Sequence, residues 1–203
     1  VGQGQYLTGQ DNLLVNPGFA VLSFKAQGAT TDTTAGNSGR AADGWAVSTA
    51  GSAFTVQHSV VNSSSLGVNS RFLSLQPTVQ KASLAAGDMA IAIAGIAGED
   101  IAMARWGNAG ATPIAITLSI SCAVARVFTL AIRNNGATMS YLVNLSHNGA
   151  GINTFTAVIP GPTTGTWTPG GGGRGATLAL SIGAGATYTA GATGSWLAGN
   201  YLG

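Results

Sequence analysis

Acid–base and nucleophilic chemistry need side chains that can converge, and this chain offers few. Glu99 is its one glutamate, and Asp100 follows it directly, so the two point in different directions on any regular element. Asp11, Asp32, Asp43 and Asp88 are scattered through the N-terminal half. Glycoside hydrolysis, by contrast, needs two carboxylates facing each other about 5–10 Å apart. His58 and His147 stand in strand or turn contexts with no evident Ser or Asp partner. Gly36-Asn37-Ser38-Gly39 is one residue short of a nucleophile elbow and lies in a loop-like stretch. The glycine run 170–173 ahead of Arg174 lacks the Lys-Ser/Thr pair and the following helix of a phosphate cradle, so it reads as a turn. The reading is therefore of a protein that is not an enzyme.

Binding chemistry has better candidates. Aromatic faces stack on sugar rings and supply apolar contact area, and the chain has four tryptophans. Trp45 precedes a strand pattern beginning at Val47, and Trp167 and Trp196 lie in turn-and-strand frameworks, so these three are expected in the core. Trp106 lies on a connection close to two glycines with Arg105 and Asn108 beside it. Trp106, Arg105 and Asn108 are accordingly the expected glycan-contacting residues. No metal or cofactor is expected. Asp11, Asn12, Asn16 and Asp43 could offer oxygen ligands to calcium, but no loop concentrates them as a calcium site does. Cys122 is the one cysteine, so an internal disulfide is excluded, and its place on an apolar strand face marks it as a small core residue.

Charge narrows the partners. Charged residues make up 7 % of the 203, against about 25 % in an ordinary soluble protein. The net charge is +2, and the eight cations (Lys25, Arg40, Arg71, Lys81, Arg105, Arg126, Arg133, Arg174) form no run. Nucleic-acid binding requires a concentrated positive face, which argues against it here. A surface so poor in charge suits a protein whose flanks are covered by neighbouring subunits.

The elements that must position these groups are strands. Alternating patterns at 113–122, 126–133, 139–146, 152–159, 176–182 and 187–190 follow earlier ones at 45–48, 54–58 and 71–76. In the 176–182 strand, Ala176, Leu178, Leu180 and Ile182 share one face and Thr177, Ala179 and Ser181 the other. Residues 79–95 alternate loosely, with Met89, Ile91 and Ile93 on one side. Ala50-Gly51-Ser52, Asn134-Asn135-Gly136 and His147-Asn148-Gly149 read as hairpin turns, the Asn-Asn-Gly sequence most sharply. Residues 94–106 hold the one helical pattern, kept short by Gly95 and Gly98. Residues 12–24 read as two strands around a Pro-Gly turn. Residues 26–42 and 62–69 read as long polar loops, which on a rigid sandwich are common binding surfaces. Residues 106–125 carry no charge, but their polar alternation makes them a strand rather than a membrane-spanning helix, so no membrane partner is expected. The first residues show no signal-peptide pattern, and the missing initiator Met points to processing or to a piece of something longer. The fold class is all-β: a two-sheet antiparallel sandwich, or jelly roll, over residues 12–203, with at most one short helix near 96–104 and an N-terminal arm over 1–11.

Several of these stretches also resemble a known family. Residues 159–203 (IPGPTTGTWTPGGGGRGATLALSIGAGATYTAGATGSWLAGNYLG) are similar to the closing segment of a jelly-roll domain found in structural proteins of tailed bacteriophages. NLLVNPGF at 12–19 with ADGW at 42–45 resembles that family's opening, Gly44 standing where the family has Arg. RFLSLQ at 71–76, AGEDIAMARWGNA at 97–109, PIAITLS at 113–119, and AIRN at 131–134 with SYLV at 140–143 resemble further framework segments. The resemblance covers nearly the whole of 12–203. It implies a carbohydrate-binding-module-like domain on the external appendages of a virion, such as a tail fibre or head fibre. It also implies assembly with other virion proteins, a homo-oligomer with a trimer favoured, and recognition of a host surface polysaccharide. A decoration or adaptor protein that cements other virion subunits is the alternative.

Overall fold

Residues 114–121 alternate apolar and polar side chains with period 2, the signature of a strand with one wet face. A computed structural model of the chain describes residues 13–14, 31–34, 36–51, 55–63, 70–78, 82–168 and 172–203. The alternation is realised there: Ile114 and Ile116 are buried, while Ala115, Thr117, Ser119 and Ser121 face solvent. The described strands are β1 (Thr31–Thr33), β2 (Ser38–Ala42), β3 (Trp45–Ala50), β4 (Val56–Ser63), β5 (Ser70–Pro77) and β6 (Met89–Ala97). After a six-residue helix, α1 (Gly98–Met103), come β7 (Ile114–Ser121), β8 (Ala125–Asn134), β9 (Met139–Asn148), β10 (Ile152–Ile159), β11 (Arg174–Ala184) and β12 (Trp196–Ala198). The chain is an all-β antiparallel sandwich with one short helix.

One layer is a seven-stranded sheet in the order β12-β9-β8-β11-β6-β3-β2. The other consists of a three-stranded sheet, β1-β4-β5, and the pair β10-β7. Between the layers, Trp45, Val47, Leu130, Ile132 and Leu178 of the large sheet meet Val56, Val60, Ile114, Ile116 and Ile159 of the smaller ones. Each fully buried aliphatic side chain of this kind contributes about 1.5–3 kcal/mol. The large sheet is covered on its outer face too. Ile91, Ala131, Leu142 and Ala179 form a second cluster there with Leu202, flanked by Tyr188 and Tyr201 from the C-terminal segment. Burial on both faces explains why β6 reads as a nearly continuous apolar run, with Ala90, Ala94 and Ile96 inward and Ile91 and Ile93 outward.

Several expectations change. Residues 26–42 are not one loop, because β1 and β2 lie within them and Thr33, Ala41 and Ala42 are buried. Ala50-Gly51-Ser52 does not close a hairpin: β3 pairs with β2 and β6, β4 with β1 and β5, so the chain changes layer there. The same holds at His147-Asn148-Gly149, where β9 pairs with β8 and β12, and β10 with β7. Residues 94–97 belong to β6 rather than to the helix. Within 187–190 there is a 3-10 turn at Ala186–Tyr188 instead of a strand. The expected strands in 15–24, the loop tip at 64–69 and the arm at 1–11 lie outside the described residues.

The Asn-Asn-Gly turn does join two paired strands, and Asn134 organises it. Its buried side chain accepts from the Thr138 and Met139 amides at 2.8 and 3.0 Å and donates to the Thr138 hydroxyl and the Thr166 carbonyl. Across the sandwich, buried His147 links the layers. Its Nδ1 accepts the Gly149 amide at 2.9 Å, so its proton sits on Nε2, which donates to the Ile120 carbonyl at 3.0 Å. Replacing it leaves two part-buried backbone groups without their partner, each of which costs about 1–2 kcal/mol. His147→Leu is therefore expected to lower unfolding stability by about 2–4 kcal/mol, measured by equilibrium denaturation of the two proteins. A change within 0.5 kcal/mol would contradict this role.

Candidate functional site

The expected glycan-contacting residues share one tight loop between α1 and β7. Helix α1 ends because Arg105 turns left-handed, with φ of 57°. The chain then folds back on itself: the Thr112 amide donates to the Ala104 carbonyl at 2.8 Å, and the Ala111 amide to the Asn108 carbonyl at 3.0 Å. Gly107, at φ 88°, passes so close to Trp167 that a Cβ there would stand 2.9 Å from the indole Cδ1. Its amide donates to the Pro162 carbonyl at 2.8 Å, tying this loop to the one after β10. Only glycine meets both demands.

Trp106 points inward, and this corrects the sequence expectation. It is 4 % exposed, and its Nε1–H donates to the Thr112 carbonyl at 2.8 Å. Its ring stands edge-on to Trp167 at 4.8 Å and to Trp196 at 5.5 Å, and those two meet at 5.3 Å. Trp167 donates to the Thr164 carbonyl and Trp196 to the Pro160 carbonyl. With its faces packed and its N–H taken, Trp106 offers no platform for a sugar. Trp45 and Trp167 are buried as the sequence suggests, while Trp196 is half-buried.

Arg105 and Asn108 remain at the surface, above this cluster. The Asn108 side-chain amide donates to the Arg105 carbonyl at 3.3 Å and to the Trp106 carbonyl at 3.5 Å, on an exposed residue. The Arg105 guanidinium lies against the Gly110 backbone. Among the described residues no carboxylate engages it, so its donors are available. Thr163, Thr164 and Thr166 on the adjoining loop are exposed as well. The arrangement is a cation, an amide and hydroxyls on a floor of packed indoles. Such groups can hydrogen-bond a polyol; they cannot transfer a proton at neutral pH.

The acidic pair lies elsewhere. Glu99 Oε1 accepts the Gly172 amide at 2.8 Å, and this bond, with its own backbone amide, holds its carboxyl below the ordinary range. Partial burial, with Glu99 as neighbour, pushes Asp100 up. The described part of the glycine run thus meets helix α1, with the Gly98 amide donating to the Gly173 carbonyl, and its Gly172 amide is already taken. Asp88, scattered in the sequence, is fully buried and closes a turn by accepting the Ala85 amide at 2.8 Å. Cys122 packs partly buried against the main core. Among the described residues no three His, Cys, Asp or Glu side chains gather as metal ligands would, and no helix is long and apolar enough to cross a membrane.

A cleft of about 1010 Å³ opens between β5 and β7, floored by Leu130, Leu178 and Leu180 of the large sheet and rimmed by Arg71 and Arg126. Its walls mix aliphatic and aromatic side chains (Ile114, Ile116, Phe72, Phe128) with hydroxyls and charges (Ser74, Thr117, Asp100, Arg126). No family model, no curated protein and no solved structure matches this chain.

The two parts of the loop should separate on mutation. Trp106→Ala opens a large cavity in the cluster and is expected to cost about 3–5 kcal/mol of stability. Arg105→Ala and Asn108→Ala, on the surface, should stay within about 0.5 kcal/mol of the parent. Denaturant titration distinguishes the outcomes, and an inexpensive Trp106→Ala would show that the indole is not packed as described.

Proposed function

We propose that this chain is a non-enzymatic structural domain of a tailed-bacteriophage virion, a jelly-roll appendage domain of a tail fibre or head fibre that recognises a host surface glycan. One observation carries the reading. Trp106, Trp167 and Trp196 come from two separate segments that resemble phage framework motifs, 97–109 and 159–203, and their rings meet in one cluster. In this reading the two segments are parts of one jelly-roll framework, and their contact is what such a framework requires.

In this reading the exposed surface at Arg105 and Asn108, with the neighbouring threonines, contacts sugar hydroxyls. Each such site is small and wet, so its affinity is low. A homotrimer on the particle gathers several sites, and the resulting avidity exceeds the single-site affinity by about 10²–10⁴. The chain's external place on the virion puts that surface where the host envelope meets it.

A second reading, a purely structural protein that cements other virion subunits, draws on a different observation. Val124, Val127 and Val158 are 66 %, 55 % and 63 % exposed on a surface with few charges. Side chains of this kind suit burial against a neighbouring subunit.

The test is retention of the purified chain on polysaccharide from the bacterial host. The glycan reading expects retention, and at least a ten-fold loss in a combined Arg105→Ala/Asn108→Ala variant, the size of about 1.4 kcal/mol. No retention on any polysaccharide of the host, with 104–112 buried against other proteins in a particle reconstruction, would give the case to the cementing role.

A further inference from the structure

The C-terminal segment that covers the outer face of the large sheet also shapes a groove there. The fully buried Ser140 hydroxyl of β9 donates to the Gly199 carbonyl at 2.7 Å and accepts the Tyr201 amide at 3.0 Å, which clamps the turn after β12 to the sheet. Gly199 has φ of 138°, and a Cβ there would stand 2.6 and 2.8 Å from Cε2 and Cζ of Tyr201. A side chain at 199 would displace that ring, so glycine sets its seat. Tyr201 is half-buried. Its ring packs on the outer apolar cluster and also lines a groove of about 260 Å³ between residues 189–192 and β12.

The groove sets an aromatic ring among small residues and unused donors. Ala190, Gly191, Ala192 and Ala198 leave room beside the ring. The Gly191 and Ala192 amides and the Tyr201 phenol have no hydrogen-bond partner among the described residues. Apart from that phenol, no ionisable side chain lines the groove among the described residues, so it holds nothing to pair with a charged ligand. Its volume lies below the roughly 300–1,000 Å³ of sites that enclose drug-sized ligands, which suits a single ring. An aromatic face stacks on the C–H face of a sugar ring, while amide and phenol groups beside it reach the hydroxyls.

We propose that this groove is a sugar subsite in which one neutral hexopyranose stacks its C–H face on Tyr201 and hydrogen-bonds the Gly191 and Ala192 amides. The inference rests on the glycan reading above, and it supplies the aromatic platform that buried Trp106 does not. Ser140 and Gly199 hold the ring in place before a ligand arrives, so little ordering opposes binding. With so few polar contacts the single-site dissociation constant is about 1 mM, and the avidity of an oligomer raises it to useful strength.

The experiment titrates the full chain with methyl β-D-glucopyranoside, methyl β-D-galactopyranoside and D-glucuronate, followed by the tyrosine-ring and backbone-amide NMR signals. At least one neutral glycoside should shift the Tyr201 ring and the 191–192 amides, and glucuronate should bind no more tightly. Tyr201→Phe keeps the stacking face and should stay within about three-fold of the parent. Tyr201→Leu keeps apolar volume without that face and should weaken binding about ten-fold or more. Gly191→Leu guards against a folding effect at 201: a Cβ there meets nothing within 4 Å, so its melting curve should match the parent's while binding is lost. Parent-like binding by Tyr201→Leu or Gly191→Leu, or glucuronate bound ten-fold more tightly than both glycosides, would overturn the assignment. A chain retained on host polysaccharide yet silent to both glycosides would remove this groove and leave the glycan reading standing. Absence of retention and of glycoside binding together would remove both.

Discussion

Three indoles packed edge to face hold the distal end of this molecule together. Trp106, Trp167 and Trp196 come from the loop after α1, the loop after β10 and the short strand β12, and no pair is more than 5.5 Å apart. Contacts of this geometry contribute about 0.5–1.5 kcal/mol per pair beyond the area they bury. Each N–H also donates to a backbone carbonyl of the loops. The loops thereby acquire the covered apolar contacts and satisfied polar groups of a core, although they contain almost no regular structure. Tyr141 extends the cluster into the large sheet by packing on Trp196 at 5.3 Å. A three-residue edge strand such as β12 has little pairing of its own to hold it, so this aromatic contact fixes its place.

The rest of the architecture serves to put that cluster at a sandwich end. The seven-stranded sheet is apolar on both faces because the second layer covers one and the C-terminal segment the other. Charges are few, and two of the arginines take defined places: Arg105 at the surface of the loop that buries Trp106, and Arg174 over Gly95.

Much of this was legible from residue order. The alternation at 113–122 and 152–159, the strand at 176–182, the Asn-Asn-Gly connection and the single short helix follow from periodicity and turn chemistry. What periodicity does not encode is layer. Ala50-Gly51-Ser52 has the composition of a tight turn, yet the strands on either side join different sheets, a choice made by side chains far away in the chain. Residues 38–42 escaped notice because alanine and glycine fill a strand without announcing a hydrophobic face. Trp106 looked accessible because it sits among glycines on a connection. Those glycines instead let the backbone close tightly enough to bury it, and its partners lie some 60 and 90 residues further on, beyond any local pattern. The seat of Arg174 over Gly95 depends on a register slip and on the lack of a side chain at that position, neither of which is visible in a motif.

The central claim, that the tryptophan cluster locks these loops as part of the core, is most directly tested by hydrogen exchange of the indole N–H groups followed by NMR. The account predicts that the Trp106 and Trp167 indole protons exchange only at the rate set by global unfolding, matching the slowest amides of β8 and β11. Exchange through local opening, much faster than those strand amides while the sheet stays intact, would contradict it.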